Sequence, residues 1–214
     1  MISSLREKVI IVTGGSGLLG REIVLNLKSK GAIAINADIS VVTDFEKHTL
    51  NLDVTSEQSI LNGIKLVIDF YGKINGLVNN AYPRTKDWGE KFESIPYDSW
   101  KLNVDMHLNG YFLCCQKVLE QMKIQGFGSL VNMSSIYGLV GPDFTIYNNT
   151  QMTMPAAYSV IKGGLNTLTK YLASYYGKNQ IRVNAVSPGG IFDNQPTQFL
   201  ENYTKKVPDR KSHT

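Results

Sequence analysis

Lys8-Val9-Ile10-Ile11-Val12-Thr13-Gly14-Gly15-Ser16-Gly17-Leu18-Leu19-Gly20 is the stretch on which the fold turns. Its first six residues are β-branched and apolar without polar alternation, the pattern of a parallel strand covered on both faces. The glycines that follow let the backbone turn sharply and approach a ligand closely. The helix they open offers unpaired amides and a positive dipole end to a phosphate. Ile23, Leu25 and Leu27 fall in an expected helix over 21–30 closed by Gly31, and residues 32–37 read as a second apolar strand ending at Asp38. Asp38 stands 18 residues after Gly20, where a carboxylate accepts hydrogen bonds from an adenosine ribose and repels a 2′-phosphate. No Lys or Arg follows before Lys47, so this βαβ unit is expected to take NAD rather than NADP.

Beyond it the alternation continues. Strands are expected at 49–52, 76–79, 129–133 and 181–186, and helices at 56–71, 97–125 (one long helix) and 156–177. Strand and helix in turn imply an α/β fold of Rossmann type, a doubly wound parallel sheet with helices on both faces. Residues 1–193 read as one cofactor-binding domain that carries the catalytic residues, and 194–214 as an irregular tail of that domain. A long polar-aromatic loop at 141–155 has the size of a functional loop.

Composition narrows the class. A chain of 214 residues, 43% hydrophobic, can bury roughly 70% of its extended surface without a metal or disulfide staple. Its net charge of +4, from 22 basic and 18 acidic residues, is scattered, which disfavours nucleic acid and anionic membranes as partners. Cys114 and Cys115, the only cysteines, are adjacent in an apolar run and read as buried thiols of a reducing compartment. With no signal-peptide pattern and no run of about 20 apolar residues, a cytoplasmic location is expected.

Two further motifs carry chemistry. Tyr158 and Lys162 are four residues apart on an expected helix and share a face. An ammonium beside the phenol is expected to lower the Tyr pKa toward a value useful for proton transfer. Ser135 follows a strand at the carboxyl edge of the sheet, where open α/β folds bind ligands and a hydroxyl can bond a reacting carbonyl oxygen.

With TGGSGLLG at 13–20, Asp38, Asp53-Val54, Asn79-Asn80-Ala81, Ser135, Tyr158 with Lys162, and Asn184-Ala185-Val186-Ser187-Pro188-Gly189 in place, the sequence resembles the short-chain dehydrogenase/reductase family. The resemblance implies that Tyr158 is the acid/base, that Lys162 tunes it and binds the nicotinamide ribose, and that Ser135 orients the substrate oxygen. It places Gly14, Ser16, Gly17, Leu19, Gly20, Asp38 and Ile39 at the dinucleotide. Asp53 and Val54 fall at the adenine, Asn79 and Ala81 along the cofactor, and Pro188 and Ile191 at the carboxamide. A small-molecule substrate and a homodimer or homotetramer are also implied.

The sequence departs from the family in five places. Its glycine spacing, Gly14, Gly17 and Gly20, resembles the branch that modifies nucleotide sugars, while its other motifs resemble the shorter branch. Tyr82 stands where Gly usually follows Asn-Asn-Ala, and is expected at the substrate pocket or the cofactor. His107 falls where the family has its fourth catalytic residue, an Asn. The interval of 23 residues from Ser135 to Tyr158 is longer than usual and contains Tyr147, Asn148, Asn149 and Gln151. Amides and rings of this kind suit a sugar or nucleotide sugar, and Arg84, Lys86 and Lys91 are candidates for its phosphate. Finally, the last strand of the sheet is expected to be missing. The motifs around Tyr82 and Tyr158 resemble bacterial dehydrogenases of flagellin glycosylation and acidic-sugar synthesis. Three readings stand: an oxidoreductase acting on a sugar-like substrate, a nucleotide-sugar epimerase or dehydratase, and a catalytically idle dinucleotide-binding chain.

Overall fold

A computed structural model describes residues 4–206. The strands are β1 (Val9–Thr13), β2 (Ile33–Asp38), β3 (Thr49–Asn51), β4 (Gly76–Asn79), β5 (Gly128–Met133) and β6 (Ile181–Val186). The helices are α1 (Leu18–Ser29), α2 (Glu57–Tyr71), α3 (Tyr97–Val104), α4 (Gly110–Gln125), α5 (Ala156–Tyr176) and α6 (Thr197–Lys206). Among the described residues the strands form one six-stranded sheet in the order β3-β2-β1-β4-β5-β6, with every pairing parallel. Such an order follows when successive right-handed crossovers run first one way from β1 and then the other. The reversal leaves a crevice at the carboxyl ends of β1 and β4.

β1 is buried at every position, and its two faces serve different cores. Val9 and Ile11 join Ile35, Leu50, Leu77 and Leu130 beneath α2, α4 and α5. Ile10 and Val12 join Ala34 and Val24 beneath α1. Helices thus cover both faces, as the unalternating apolar runs imply. Cys114 and Cys115 are buried and free, and desolvation pushes the Cys114 thiol up to about 12.

Two elements differ from the expectation. The long helix at 97–125 is broken by one π-turn, Asp105–Asn109, between α3 and α4. No periodicity in a sequence announces a single wide turn, and such turns gather at functional sites. The tail expected to be irregular contains α6, which buries Phe199 and Tyr203 against Ile146 and Tyr147 of the long loop. Its apolar stripe, Phe199, Leu200 and Tyr203, has helical spacing but is set in an otherwise polar segment and is satisfied by a loop, so the segment lacks the apolar content of a core helix. Residues 207–214, part of the same tail, lie outside the described residues.

Candidate active site

The last residues of five strands, Thr13, Asp38, Asn79, Met133 and Val186, define the edge on which the site is built. Gly14 follows Thr13 at φ +62°, and a Cβ there would stand 2.7 Å from the Cα of Ala81. Only glycine meets both conditions. A Cβ on Gly20 would run into the Gly14 carbonyl, so α1 can start this close to the turn only because residue 20 has no side chain. Gly17 caps α1 with no side-chain bond to the first amides, which leaves those donors facing the cleft in the way an anion requires. Leu19 lies in the first turn of that helix.

Asp38 accepts from the Ser16 amide at 3.1 Å and from the Ser40 amide and hydroxyl at 3.0 and 2.7 Å. Its carboxylate is thereby held beside the glycine turn, with Ile39 70% exposed next to it. Asp53 accepts from the Thr55 amide and hydroxyl, and Val54 is buried with its carbonyl against Gly110. These groups make a cradle that a Cβ would fill and a carboxylate poised at its far end, a fit for a dinucleotide. Asn79 is turned into the core: its amide donates toward the Tyr111 carbonyl and to Asn132 Oδ1.

Asn80 and Thr13, part of the quoted motifs but given no role by the sequence, do the local work of the Asn-Asn-Ala segment. Thr13 Oγ1 accepts from the amides of Asn80 and Ala81 at 2.9 and 3.2 Å, and the Asn80 side chain donates to the carbonyls of Thr13 and Gly14. The second Asn of that segment, one residue past the end of β4, was the available signal. Pro188 accepts from the Ile136 amide at 3.1 Å, which ties the loop after β6 to the turn after Ser135. The Ile191 carbonyl accepts from Gln195, and the Tyr203 hydroxyl accepts from the Gly190 amide at 3.0 Å.

Ser135, Tyr158 and Lys162 converge. Ser135 is buried, accepts from the Tyr137 amide and hydrogen-bonds the Tyr158 side chain. Lys162 is 4% exposed. Its ammonium donates to the Met133 carbonyl at 2.6 Å and lies 3.4 Å from His107 Nε2. The rings of Tyr111, Tyr158 and Tyr82 surround it at 5.5, 5.6 and 5.8 Å from their centroids.

Electrostatics at this centre run against one expectation. Burial raises the Tyr158 pKa, and the bond from Ser135 offsets only part of that. Burial lowers the Lys162 pKa to about 7. The ammonium lies over the phenol ring rather than on its oxygen, and three ring faces desolvate it more than they stabilise it. Burial, and then the charge on Lys162, hold His107 well below the usual imidazole range. As a neutral ring it accepts from Lys162 through Nε2, while Nδ1 is buried with no partner among the described residues.

Tyr82 packs edge-on against Trp88, His107 and Tyr158 at centroid distances of 5.7, 5.3 and 5.8 Å, with the Arg84 guanidinium 5.0 Å above its ring. Trp88, absent from the sequence reading, completes this wall at 6.4 Å from Tyr158. No local pattern marks it. Tyr147 is buried against Phe199 at 5.4 Å, so its ring anchors the long loop to α6. Lys86 and Lys91 are exposed.

Known proteins resemble this arrangement. The family model described as short chain dehydrogenase matches residues 8–204. Post-translational flagellin modification protein A of Campylobacter coli is 37% identical over 214 residues, covering 94% of this chain and 84% of that protein. The probable galactose dehydrogenase GalD of Rhizobium meliloti is 29% identical, covering 87% and 73%. A short chain dehydrogenase from Leptospira borgpetersenii, crystallised with bound NAD+, is 32% identical with a TM-score of 0.84, covering 95% and 79%. The parallel sheet, the glycine cradle and the Ser135, Tyr158 and Lys162 cluster thus sit in a chain that belongs to the short chain dehydrogenase family of oxidoreductases.

Proposed function

We propose that the chain is an NAD-dependent oxidoreductase that interconverts an alcohol and a ketone on a sugar or nucleotide sugar. The observation that carries this reading is the convergence of Ser135, Tyr158 and Lys162 at the carboxyl edge of β5, opposite the glycine cradle after β1. NAD, when bound, supplies the acceptor or donor of hydride. The protein's part is positional and protic. Ser135 holds the substrate oxygen by a hydrogen bond, and Tyr158 passes a proton to that oxygen or takes one from it. Lys162 holds a ribose hydroxyl and, in its protonated form, places positive charge next to the phenol. Asp38 supports NAD over NADP because its carboxylate is fixed where a 2′-phosphate would need room and positive charge.

A sugar substrate is supported by the amide-rich loop at 141–155 and by the relative described as a probable galactose dehydrogenase. Residues 1–193 act as the cofactor-binding and catalytic domain, in a cytoplasmic homodimer or homotetramer. The test is to incubate the protein with NAD or NADP and a panel of sugars, sugar phosphates and nucleotide sugars while following absorbance of the reduced nicotinamide. NADH is expected to accumulate in step with substrate oxidised, an outcome an epimerase or dehydratase does not give. Tyr158→Phe should abolish turnover, roughly 100-fold or more, while NAD still raises the unfolding midpoint. Silence across the panel overturns the reading in favour of an idle dinucleotide-binding chain.

A further inference from the structure

Arg84 is an exposed guanidinium with no ion pair among the described residues. Asp87, the nearest carboxylate in sequence, is occupied by the Ser99 hydroxyl at 2.7 Å and by Thr85. The segment that carries Arg84 is fixed. Buried Asn103 of α3 accepts from the Thr85 amide at 3.0 Å and donates to Thr85 Oγ1 at 2.8 Å and to the Ser99 carbonyl at 2.9 Å.

The guanidinium rests on the ring of Tyr82 at 5.0 Å, and the same ring touches Tyr158 at 5.8 Å. Lys162 lies 5.8 Å from the centroid of that ring. One tyrosine therefore connects the proton-transfer group to a planar cation that has several donors and no carboxylate partner among the described residues. The Tyr82 hydroxyl engages part of the guanidinium, and the remaining N–H donors, on an exposed side chain, can pair with a carboxylate or a phosphate.

Resting on the oxidoreductase reading above, we propose that Arg84, seated on Tyr82, is an anion clamp for the substrate. The molecule oxidised or reduced at Tyr158 then carries a carboxylate or phosphate on the same small skeleton as its reacting alcohol. Tyr82 sets the distance between the two ends, and Arg84 selects the charged one.

The experiment uses the full chain with saturating NAD and three probes: glucose, glucuronate and glucose 6-phosphate. Binding is read by calorimetry and turnover by NADH. At least one anion should bind roughly tenfold or more tightly than glucose. That advantage should fall by roughly ten- to a hundredfold in Arg84→Met, the loss expected for charge-assisted hydrogen bonds, and should shrink with added salt. Preference for glucuronate assigns a carboxylate, and preference for glucose 6-phosphate assigns a phosphate. Equal binding of all three probes, binding by neither anion, or an anion preference that survives in Arg84→Met each overturns the clamp. An anion preference that depends on Arg84 without NADH in any arm upholds the clamp and counts against the oxidoreductase reading alone.

Discussion

His107 shows how one substitution changes the chemistry around an otherwise familiar pair. In the centre of the π-turn, with no exposed surface, its ring is neutral and its Nε2 takes one hydrogen of the Lys162 ammonium, whose other acceptor is the Met133 carbonyl. Because that contact with Lys162 is its polar contact among the described residues, we propose that His107 acts as a positioning residue. His107→Leu removes one of two acceptors from a buried cation. The Lys162 pKa should then drop below about 7, and kcat should fall roughly tenfold, the equivalent of one charge-assisted bond. The limb of the pH profile assigned to Lys162 should move to lower pH. His107→Asn, whose amide oxygen still accepts, should restore most of the rate and return that limb. A rate loss in both variants with an unmoved profile would reduce His107 to packing.

Among the elements, α6 joins two segments distant from each other in sequence, the long loop before α5 and the segment after β6. Asn202 donates to the carbonyls of Ile146 and Asn148, Lys206 pairs with Asp143 at 3.2 Å, and Tyr203 accepts from the Gly190 amide in the segment between Pro188 and Ile191. Packing and positioning can be separated here. Phe199→Ala, which removes a buried ring, should cost about 3 kcal/mol of stability or more, whereas Tyr203→Phe keeps the ring and should cost about 1 kcal/mol. If the hydroxyl positions the loop, Tyr203→Phe should still weaken NAD binding several-fold, read as a dissociation constant beside the urea midpoint. An unchanged constant would confine α6 to packing. Elements of this kind were the least legible ones. β1, β2 and α1 are readable because local chemistry dictates them: an unalternating apolar run, glycines with no room for a Cβ, a helix stopped by Gly31. α6 is stabilised because two rings find a loop more than fifty residues away in sequence, and the i, i+4 spacing of Phe199 and Tyr203 in an otherwise polar segment does not reveal that partner.

At the scale of the whole molecule the same division holds. A doubly wound parallel sheet follows from alternation plus crossover handedness, though not its strand order, and Ser135, Tyr158 and Lys162 were visible as residue types at the right edge. The charge state of the centre was not, because it depends on the rings of Tyr82 and Tyr111 and the Met133 carbonyl, which come from three separate segments. That charge state couples the site to global stability. Lys162 has a pKa of about 7 in the folded protein against an ordinary value of 10.5, so between these limits the unfolded chain binds the extra proton. Stability then rises with pH across the window, since the slope follows protons bound by the unfolded minus the folded state. The cost of burying the charged amine is fully present below about pH 7 and fades above it. Comparing the wild type with Lys162→Met isolates this contribution, because all other groups titrate in both. From pH 7 to about 9.5, below the ordinary tyrosine range, His107 is already neutral and the buried phenols are held above their usual values. Across that interval the wild-type unfolding free energy should climb relative to the variant. A constant difference between the two would mean that Lys162 keeps its proton in the fold, which would leave the ammonium permanently available to Tyr158 and remove Lys162 as the group that titrates near neutral pH.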